Sequence, residues 1–575
     1  MNILSFWGSH NSSISVYNFE TKKLTIIELE KIIRQKHWGW YRSRESDRAA
    51  LWKSLINKVF PDNGIHNGFD WVITSSTAVP KGSAITKNEL KRYGVNYKNY
   101  MPLNGHHLAH CYGAIACFPG DKAVVVSLDY GGDDGRGSAH FLDRKSTSLL
   151  QPLKSENLRF NNLLWEYNLG VSISLGSISR NTPFFFDIAG KVMGASAFGN
   201  VNNGAYQSYP VQRSRIIQEN YVDELKEDLV SNSLMVDKNW TQMINGLPDL
   251  SFQDQCDISL KCQHNFEEMF ENLLIKDGVF DMLNKYDNNL ILTGGSALNI
   301  VNNQKLQKKY GCKIFVPPNP NDIGISFGVL ARFLYENKVI SNDIVLDPTY
   351  SGIYPTDYMT KTMTLGRDKI IKSNFSVELK NYIRLYKGFV KQGDVDDVVR
   401  TLRNGDVIGM IQGRSEIGLR SLGARSILAD ASVEGIKDKV NKIKNRELYR
   451  PFAPMCAIEN AEKFFESPHY DNLYHMNINV NVREEYREKY KSITHVDNTA
   501  RLQVVDEAFP KMHDILLNHS GVLLNTSLNV SGDPIMNRFI DGFKLLETST
   551  LDFLIIYDHV KDEYVFFNKR LKHGW

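Results

Sequence analysis

Three times along the chain a short apolar run halts at a glycine turn. Ile3-Leu4-Ser5-Phe6-Trp7 stops at Gly8, Ala123-Val124-Val125-Val126-Ser127-Leu128 stops before Asp129-Tyr130-Gly131-Gly132, and Leu290-Ile291-Leu292 stops before Thr293-Gly294-Gly295. Runs of this length bounded by glycine read as buried strands whose ends turn sharply. The first continues into short strand-like stretches at 13–17 and 24–29, separated by a turn at Thr21-Lys22-Lys23, which is the pattern of a β-meander. A helix-like stretch over 265–286 precedes the third. Strands alternating with helices predict an α/β architecture, and the recurring strand–glycine pattern points to an internal duplication.

Length then asks for more than one core, since 575 residues exceed what a single core organises. The irregular stretch 346–375, with Pro348, Gly352, Pro355 and Gly366 among polar residues, reads as a linker. The expected organisation is residues 1–350 as one lobe, 351–375 as linker and 376–575 as a second lobe. In that second lobe a helix is expected over 395–402, and strands over 407–411, 521–524 and 553–557. The 68 basic and 65 acidic side chains leave a charge of +3, which argues against a surface uniformly adapted to nucleic acid or membrane. No apolar run is long enough for a membrane span, and the first residues lack the pattern of a secretory signal. The six cysteines form no C-x-x-C pair, so reduced thiols and a cytoplasmic location are expected.

Several segments carry residues suited to chemistry. In Gly105-His106-His107-Leu108-Ala109-His110 a helix would put His106 and His110 on one face, where both imidazoles reach a single metal ion. Asp129, at the end of the next strand, is a natural carboxylate partner, and His107 is also within reach of His110. Such a set suits iron, manganese or zinc; the alternative is a histidine-rich helix face at a seam. Gly131 and Gly132, straight after a buried strand, let backbone amides approach a phosphate, against the plainer reading of an acidic hairpin turn. Gly294, Gly295 and Asn299 stand where a strand gives way to a helix, a place suited to phosphate or ribose and equally to an ordinary tight turn. Asp322 follows the proline-rich loop Val316-Pro317-Pro318-Asn319-Pro320 and, on spacing alone, reads as a helix N-cap. His10, just past the first strand, is placed to act as a general base.

The second lobe holds Gln412-Gly413-Arg414-Ser415-Glu416-Ile417-Gly418-Leu419-Arg420-Ser421-Leu422-Gly423-Ala424-Arg425, three arginines between glycines on a flexible backbone. That combination suits multidentate binding of phosphate or carboxylate oxygens. A cationic stretch from Lys442 to Arg446 leads to Arg450-Pro451-Phe452-Ala453-Pro454. Beyond it lie His495-Val496-Asp497-Asn498-Thr499-Ala500-Arg501 and Asn525-Thr526-Ser527-Leu528-Asn529.

In this order the motifs resemble those of O-carbamoyltransferases of the nodulation-protein-U and tobramycin-carbamoyltransferase type. The resemblance covers nearly the whole chain and is strongest from Gly405 to Pro454; Lys191, within Gly190-Lys191-Val192-Met193-Gly194, belongs to it as well. It implies an actin/sugar-kinase-like first lobe, similar to threonylcarbamoyl-transferase domains, and a YrdC-like second lobe. It further implies that carbamoyl-adenylate is made from ATP and carbamoyl phosphate and that its carbamoyl group passes to an acceptor hydroxyl. Carried onto this sequence, His106, His110, Asp129 and Asp322 would be ligands of a divalent metal, iron by the resemblance, with Mg²⁺ accompanying ATP. His10 would be the base. Gly131, Gly132, Lys191, Gly294, Gly295, Asn299, Asn525, Ser527 and Asn529 would hold nucleotide. Arg414, Arg420, Arg425, Lys442, Arg450, His495 and Arg501 would hold carbamoyl phosphate and the nucleotide phosphates. Asn11 stands where common relatives have aspartate, Met193-Gly194-Ala195-Ser196-Ala197-Phe198-Gly199 lacks their usual proline and Ser421 replaces a frequent alanine; together these departures suggest a divergent branch with its own acceptor.

The segment from Lys31 to Arg44 mixes cations with Trp38, Trp40 and Tyr41. It fits a small-molecule or sugar acceptor, or alternatively base stacking on DNA carrying a hydroxymethylated pyrimidine such as 5-hydroxymethylcytosine, or plain packing. Rival classes are a non-catalytic nucleotide-binding scaffold and a sugar-kinase-like phosphotransferase.

Overall fold

The computed structural model describes residues 1–75, 84–132, 135–153, 188–202, 251–355, 357, 375–446 and 448–569. Most of the expected linker 351–375 lies outside the described residues. The chain divides into two compact units, Met1–Phe160 with Asp277–Trp575, and Asn161–Lys276. In the second unit the helices Ile188–Ser196 and Phe252–Lys276 pack on each other. The stretch expected as one helix over 265–286 breaks after Lys276, because Gly278 takes φ +70° and the chain restarts as the short helix Val279–Met282.

The larger unit opens with two five-stranded sheets of one topology. The first contains β1 (Asn2–Trp7), β2 (Ser13–Asn18), β3 (Lys23–Glu28), β4 (Phe69–Ser75) and β5 (Tyr97–Leu103), in the order β3-β2-β1-β4-β5. Neighbours β1–β2 and β2–β3 are antiparallel, while β1–β4 and β4–β5 are parallel. The second contains β6 (Lys122–Gly132), β7 (Gly135–Asp143), β8 (Leu150–Pro152), β9 (Asn289–Thr293) and β10 (Lys313–Phe315), in the order β10-β9-β6-β7-β8. Here too the first three strands form an antiparallel meander and the last two join it in parallel. The meander-then-parallel pattern is thus used twice, which accounts for the recurring strand–glycine signal.

A helix follows the fifth strand of each sheet: His106–Cys117 after β5, and Ile325–Glu336 after β10 and the turn Asp322–Gly324. Both are buried along most of their length, and they cross where Gly113 meets Gly328. The approach is so close that a Cβ on Gly328 would lie 1.9 Å from the Ala109 carbonyl oxygen. Residues of both helices share one apolar core with Trp7, Val125, Ile291 and Ile417.

The C-terminal part holds an eight-stranded sheet. Its strands are β11 (Val390–Gly393), β12 (Ile408–Ile411), β13 (Arg425–Asp430), β14 (Ala453–Ala457), β18 (Gln503–Val505), β19 (Leu523–Ser527), β20 (Phe553–Asp558) and β21 (Glu563–Asn568). They run in the order β11-β21-β20-β12-β13-β19-β14-β18. A small sheet of β15 (Phe465–Glu466), β16 (Val480–Val482) and β17 (Thr499–Ala500) stands beside it. The mixed α/β class expected from the sequence is observed. No helix among the described residues is long and apolar enough to cross a membrane, and all six cysteines are free thiols.

The segment 412–425 binds this sheet to the first one. Arg414 donates to the carbonyls of Leu24, Ser351 and Gly352 at 2.6–2.8 Å, and Lys31 Nζ donates to the Glu416 carbonyl at 2.9 Å. The Gly418 N–H donates to Glu28 Oε1 at 2.8 Å.

Candidate active site

The turn after β5 starts a helix at His106, and the 3.6-residue period stacks His110 above it. Their Nε2 atoms are 3.2 Å apart. Asp129 leaves β6 beside them, its Oδ2 3.3 Å from His110 Nε2, while Oδ1 of Asp322 lies 3.4 Å from His106 Nε2 and 3.5 Å from His110 Nε2. Ligand atoms of the four residues all fall within 4.8 Å of one another, and His106, His110 and Asp322 are buried. Metal bonds of ~2.1 Å place neighbouring ligand atoms about 3.0–3.4 Å apart in octahedral or tetrahedral geometry. The observed separations match that spacing, so this donor set fits a divalent ion. His107 is not part of it; its Nδ1 lies 3.0 Å from Ser127 Oγ.

The two carboxylates favour positive charge at this point. Burial presses the His110 imidazole toward neutrality, but hydrogen bonds to Asp129 and Asp322 outweigh it and raise its pKa to about 9. Burial likewise opposes ionisation of Asp129, yet His110, His106 and the Gly295 N–H hold its carboxyl well below the usual carboxylate range. That N–H reaches Asp129 Oδ2 at 2.8 Å. Gly295 therefore orients a carboxylate, and Gly294, with φ +82°, allows it: a Cβ there would lie 2.1 Å from the Leu128 carbonyl oxygen. Asp322 is not the helix cap that spacing suggested. Asn321 holds the cap position, and the Asp322 carboxylate turns inward to the histidines and to His10, whose Nε2 lies 3.2 Å from its Oδ2.

Other residues separate. Gly131 and Gly132 end β6. Asn299 caps the helix Ile300–Tyr310, accepting the Asn302 N–H at 3.1 Å. Lys191 is buried in the second unit.

In the C-terminal part Arg420, Arg450 and Arg501 come together, and Arg446 joins them. Burial and Arg450 push the Arg420 guanidinium down to about 10. Burial, together with Arg420, Arg446 and Arg450, holds Arg501 well below the usual guanidinium range. The Nε atoms of Arg420 and Arg501 are buried and meet no hydrogen-bond partner among the described residues. Mutually repelling, half-buried cations, with open Nε donors on Arg420 and Arg501, form a receptor for an anion. His495 Nδ1 lies 3.5 Å from Asp497 near the start of β17.

Three expected phosphate ligands are placed differently. Arg425 is fully buried and donates to the carbonyls of Gln412, Gly413 and Ala424 at 2.8–3.0 Å. Arg414 is engaged on backbone carbonyls in the same way. The reason lies in the loop: Gly413, Gly418 and Gly423 have positive φ, and the carbonyls turned inward need buried donors. Lys442 is exposed. Lys444, two residues on and so on the opposite face of helix Ile436–Lys444, is the buried cation. It donates to the Ser527 and Asn529 carbonyls at 2.5 and 2.7 Å and to Ser527 Oγ at 3.0 Å. Asn525 Nδ2 donates to the Ser421 carbonyl and Gln503 Oε1 at 3.0 and 2.9 Å.

The tryptophans of the segment from Lys31 to Arg44 pack instead of facing solvent, while Gln35 and Arg44 are exposed. Trp38 and Trp40 are buried among Phe6 and Trp52, and Arg34 pairs with Asp533 and Asp541 at 3.2 and 3.3 Å.

Comparison with known proteins agrees with this picture. Residues 399–562 match the family model described as the carbamoyltransferase C-terminus. Nodulation protein NolO of Bradyrhizobium diazoefficiens is 30% identical over 78% of this chain and 77% of its own length. Nodulation protein NolNO of Sinorhizobium fredii is 29% identical over 78% of this chain, which spans 62% of that longer protein. The 3'-hydroxymethylcephem-O-carbamoyltransferase of Streptomyces clavuligerus is 39% identical over 47% of this chain and 48% of its own. The chain belongs to the O-carbamoyltransferase family of the nodulation-protein-U type, and with it to the transferases.

Proposed function

We propose that this protein makes carbamoyl-adenylate from ATP and carbamoyl phosphate and transfers the carbamoyl group to a hydroxyl of a small molecule or sugar. The observation that carries the reading is the convergence of His106, His110, Asp129 and Asp322 with His10 at their edge. The eight-stranded C-terminal sheet takes the YrdC-like role, and the duplicated sheets take the sugar-kinase-like one. Arg420, Arg450 and Arg501 grip the anionic substrates. Water releases inorganic phosphate from carbamoyl phosphate, and the carbamate oxygen then attacks the α-phosphorus of ATP, expelling pyrophosphate. In the second step the acceptor oxygen attacks the carbamoyl carbon, AMP departs, and the acceptor proton goes to His10 Nε2. His106, His110, Asp129 and Asp322 would hold a divalent ion, which would supply Lewis-acid stabilisation of the developing oxyanion; the donors suit iron, manganese and zinc alike.

Burial of Trp38 and Trp40 removes the segment's support for stacking on a sugar and on DNA bases alike, and the named function of the cephem relative favours a small hydroxyl acceptor. The test is incubation with ATP and carbamoyl phosphate. Pyrophosphate and carbamoyl-adenylate are expected; ADP with a phosphorylated acceptor would indicate a phosphotransferase, and no turnover of ATP would indicate a scaffold.

A further inference from the structure

His10 is held from behind by a second pair of residues. Its Nδ1 lies 3.0 Å from Asn11 Oδ1. The Asn11 amide nitrogen lies 3.1 Å from Glu30 Oε2, which also accepts the His37 N–H at 2.8 Å. Asn11 and Glu30 are 3% and 5% exposed, so neither is turned by solvent. Oε2 already accepts the backbone N–H of His37 and so faces Asn11 as an acceptor, which makes the amide present its nitrogen to Glu30 and its oxygen to His10. A carbonyl oxygen facing Nδ1 in turn requires the proton on Nδ1. The lone pair of neutral His10 is thereby left on Nε2, the atom that faces Asp322 at 3.2 Å.

We infer that Asn11 and Glu30 are positioning residues that lock His10 in its Nδ1–H tautomer, with the Glu30 carboxylate acting through the Asn11 amide. The logic is that of a base oriented by a third group, with an amide inserted between the two. Asn11 suits the place for a backbone reason too. Its φ is +58°, in the left-handed region that asparagine tolerates better than most side chains. Once Nε2 has taken a proton, Asp322 and Asn11 Oδ1 accept one hydrogen bond each from the imidazolium, so both of its N–H groups are satisfied without rearrangement.

The inference rests on the transfer reading for its chemical use, but its test does not require turnover. Ring-¹⁵N-histidine protein with added Zn²⁺, which is diamagnetic, is examined by NMR at pH 8.5, and the His10 signals are identified by their loss in His10→Asn. The expected spectrum shows Nδ1 of His10 carrying the proton. In Glu30→Leu the Asn11 amide loses the acceptor that sets its orientation, and the share of Nδ1–H should fall several-fold. Adding Asn11→Asp to that variant puts a carboxylate directly on Nδ1 and should restore it. A wild-type His10 lacking the proton on Nδ1 would overturn the inference even if neither variant folded, and so would a folded Glu30→Leu protein with an unchanged tautomer. Failure of the transfer reading would show elsewhere, as absence of a carbamoylated product from a protein whose His10 tautomer is as stated.

Discussion

The backbone of Gly418 lies against Pro318 so closely that a Cβ at Gly418 would stand 2.2 Å from the Pro318 carbonyl oxygen. Gly418 belongs to the loop that leads to Arg420, and Pro318 to the loop that delivers Asp322. The contact therefore joins the anion-binding arginines to the His/Asp cluster within one compact unit. Gly418→Ala must displace one loop or the other and also strains a residue at φ +99°. A loss of about 2–4 kcal/mol is expected from the clash and the strained φ together, read as a lower midpoint in urea denaturation. Isothermal titration should show divalent-ion affinity reduced alongside it.

Arginines of the C-terminal part divide by what they touch. Replacing Arg420 or Arg501 with Gln should raise KM for carbamoyl phosphate or ATP by roughly 10–100-fold, the worth of one charge-assisted hydrogen bond, with little change in melting temperature. Arg425→Gln leaves buried carbonyls without donors and should destabilise the fold by several kcal/mol. Steady-state kinetics and calorimetry on the two classes separate these outcomes.

Lys444 and Lys442 form a matched pair two residues apart. Lys444→Met strips donors from the Ser527 and Asn529 carbonyls and should cost about 1–3 kcal/mol. Lys442→Met should stay within about 0.5 kcal/mol of the parent. Equal midpoints in denaturant would contradict the assignment.

Asp357 gives a pH signature. Burial pushes its carboxyl up to about 6, although the Ile540 N–H and the Tyr382 hydroxyl pull the other way. The folded protein thus holds this proton more tightly than the unfolded chain. The resulting stability is fully present below the ordinary carboxylate pKa near 4 and is lost as pH rises through 6. Asp357→Asn should flatten that part of the stability–pH profile and raise stability at pH 8 by up to about 3 kcal/mol. Denaturation midpoints from pH 4 to 8 provide the check.

Strands β1, β6 and β9 were legible in the sequence because apolar runs ending at glycine carry a local signal, and β2 and β3 because they continue the first run as a meander, whereas β4, β5, β7, β8 and β10 were not read. The histidine pair was legible for a similar reason, since helix period alone puts His106 and His110 on one face. The sequence did not reveal that Arg425 serves carbonyls or that Glu30 reaches His10 through Asn11. Those roles depend on where loops far apart in sequence meet, such as 412–425 with 351–353. Lys444 was within reach, because the amphipathic period of its helix puts Lys442 and Lys444 on opposite faces. Asp322 could not be told from a cap by spacing, since both readings put an aspartate before a helix and only the inward turn of its side chain separates them.

The central claim is that the two chemical steps occur at separate groups of residues, and His110→Ala tests it most directly. The variant is incubated with ATP, carbamoyl phosphate and a panel of hydroxyl acceptors, with pyrophosphate measured and acceptors weighed by mass spectrometry. The wild-type protein should release pyrophosphate and add one carbamoyl group to an acceptor. His110→Ala should still release pyrophosphate while acceptor carbamoylation falls at least ~100-fold, the scale expected when a ligand that stabilises developing charge is removed. Loss of both activities together in a folded variant, or undiminished carbamoylation, would contradict the division of labour.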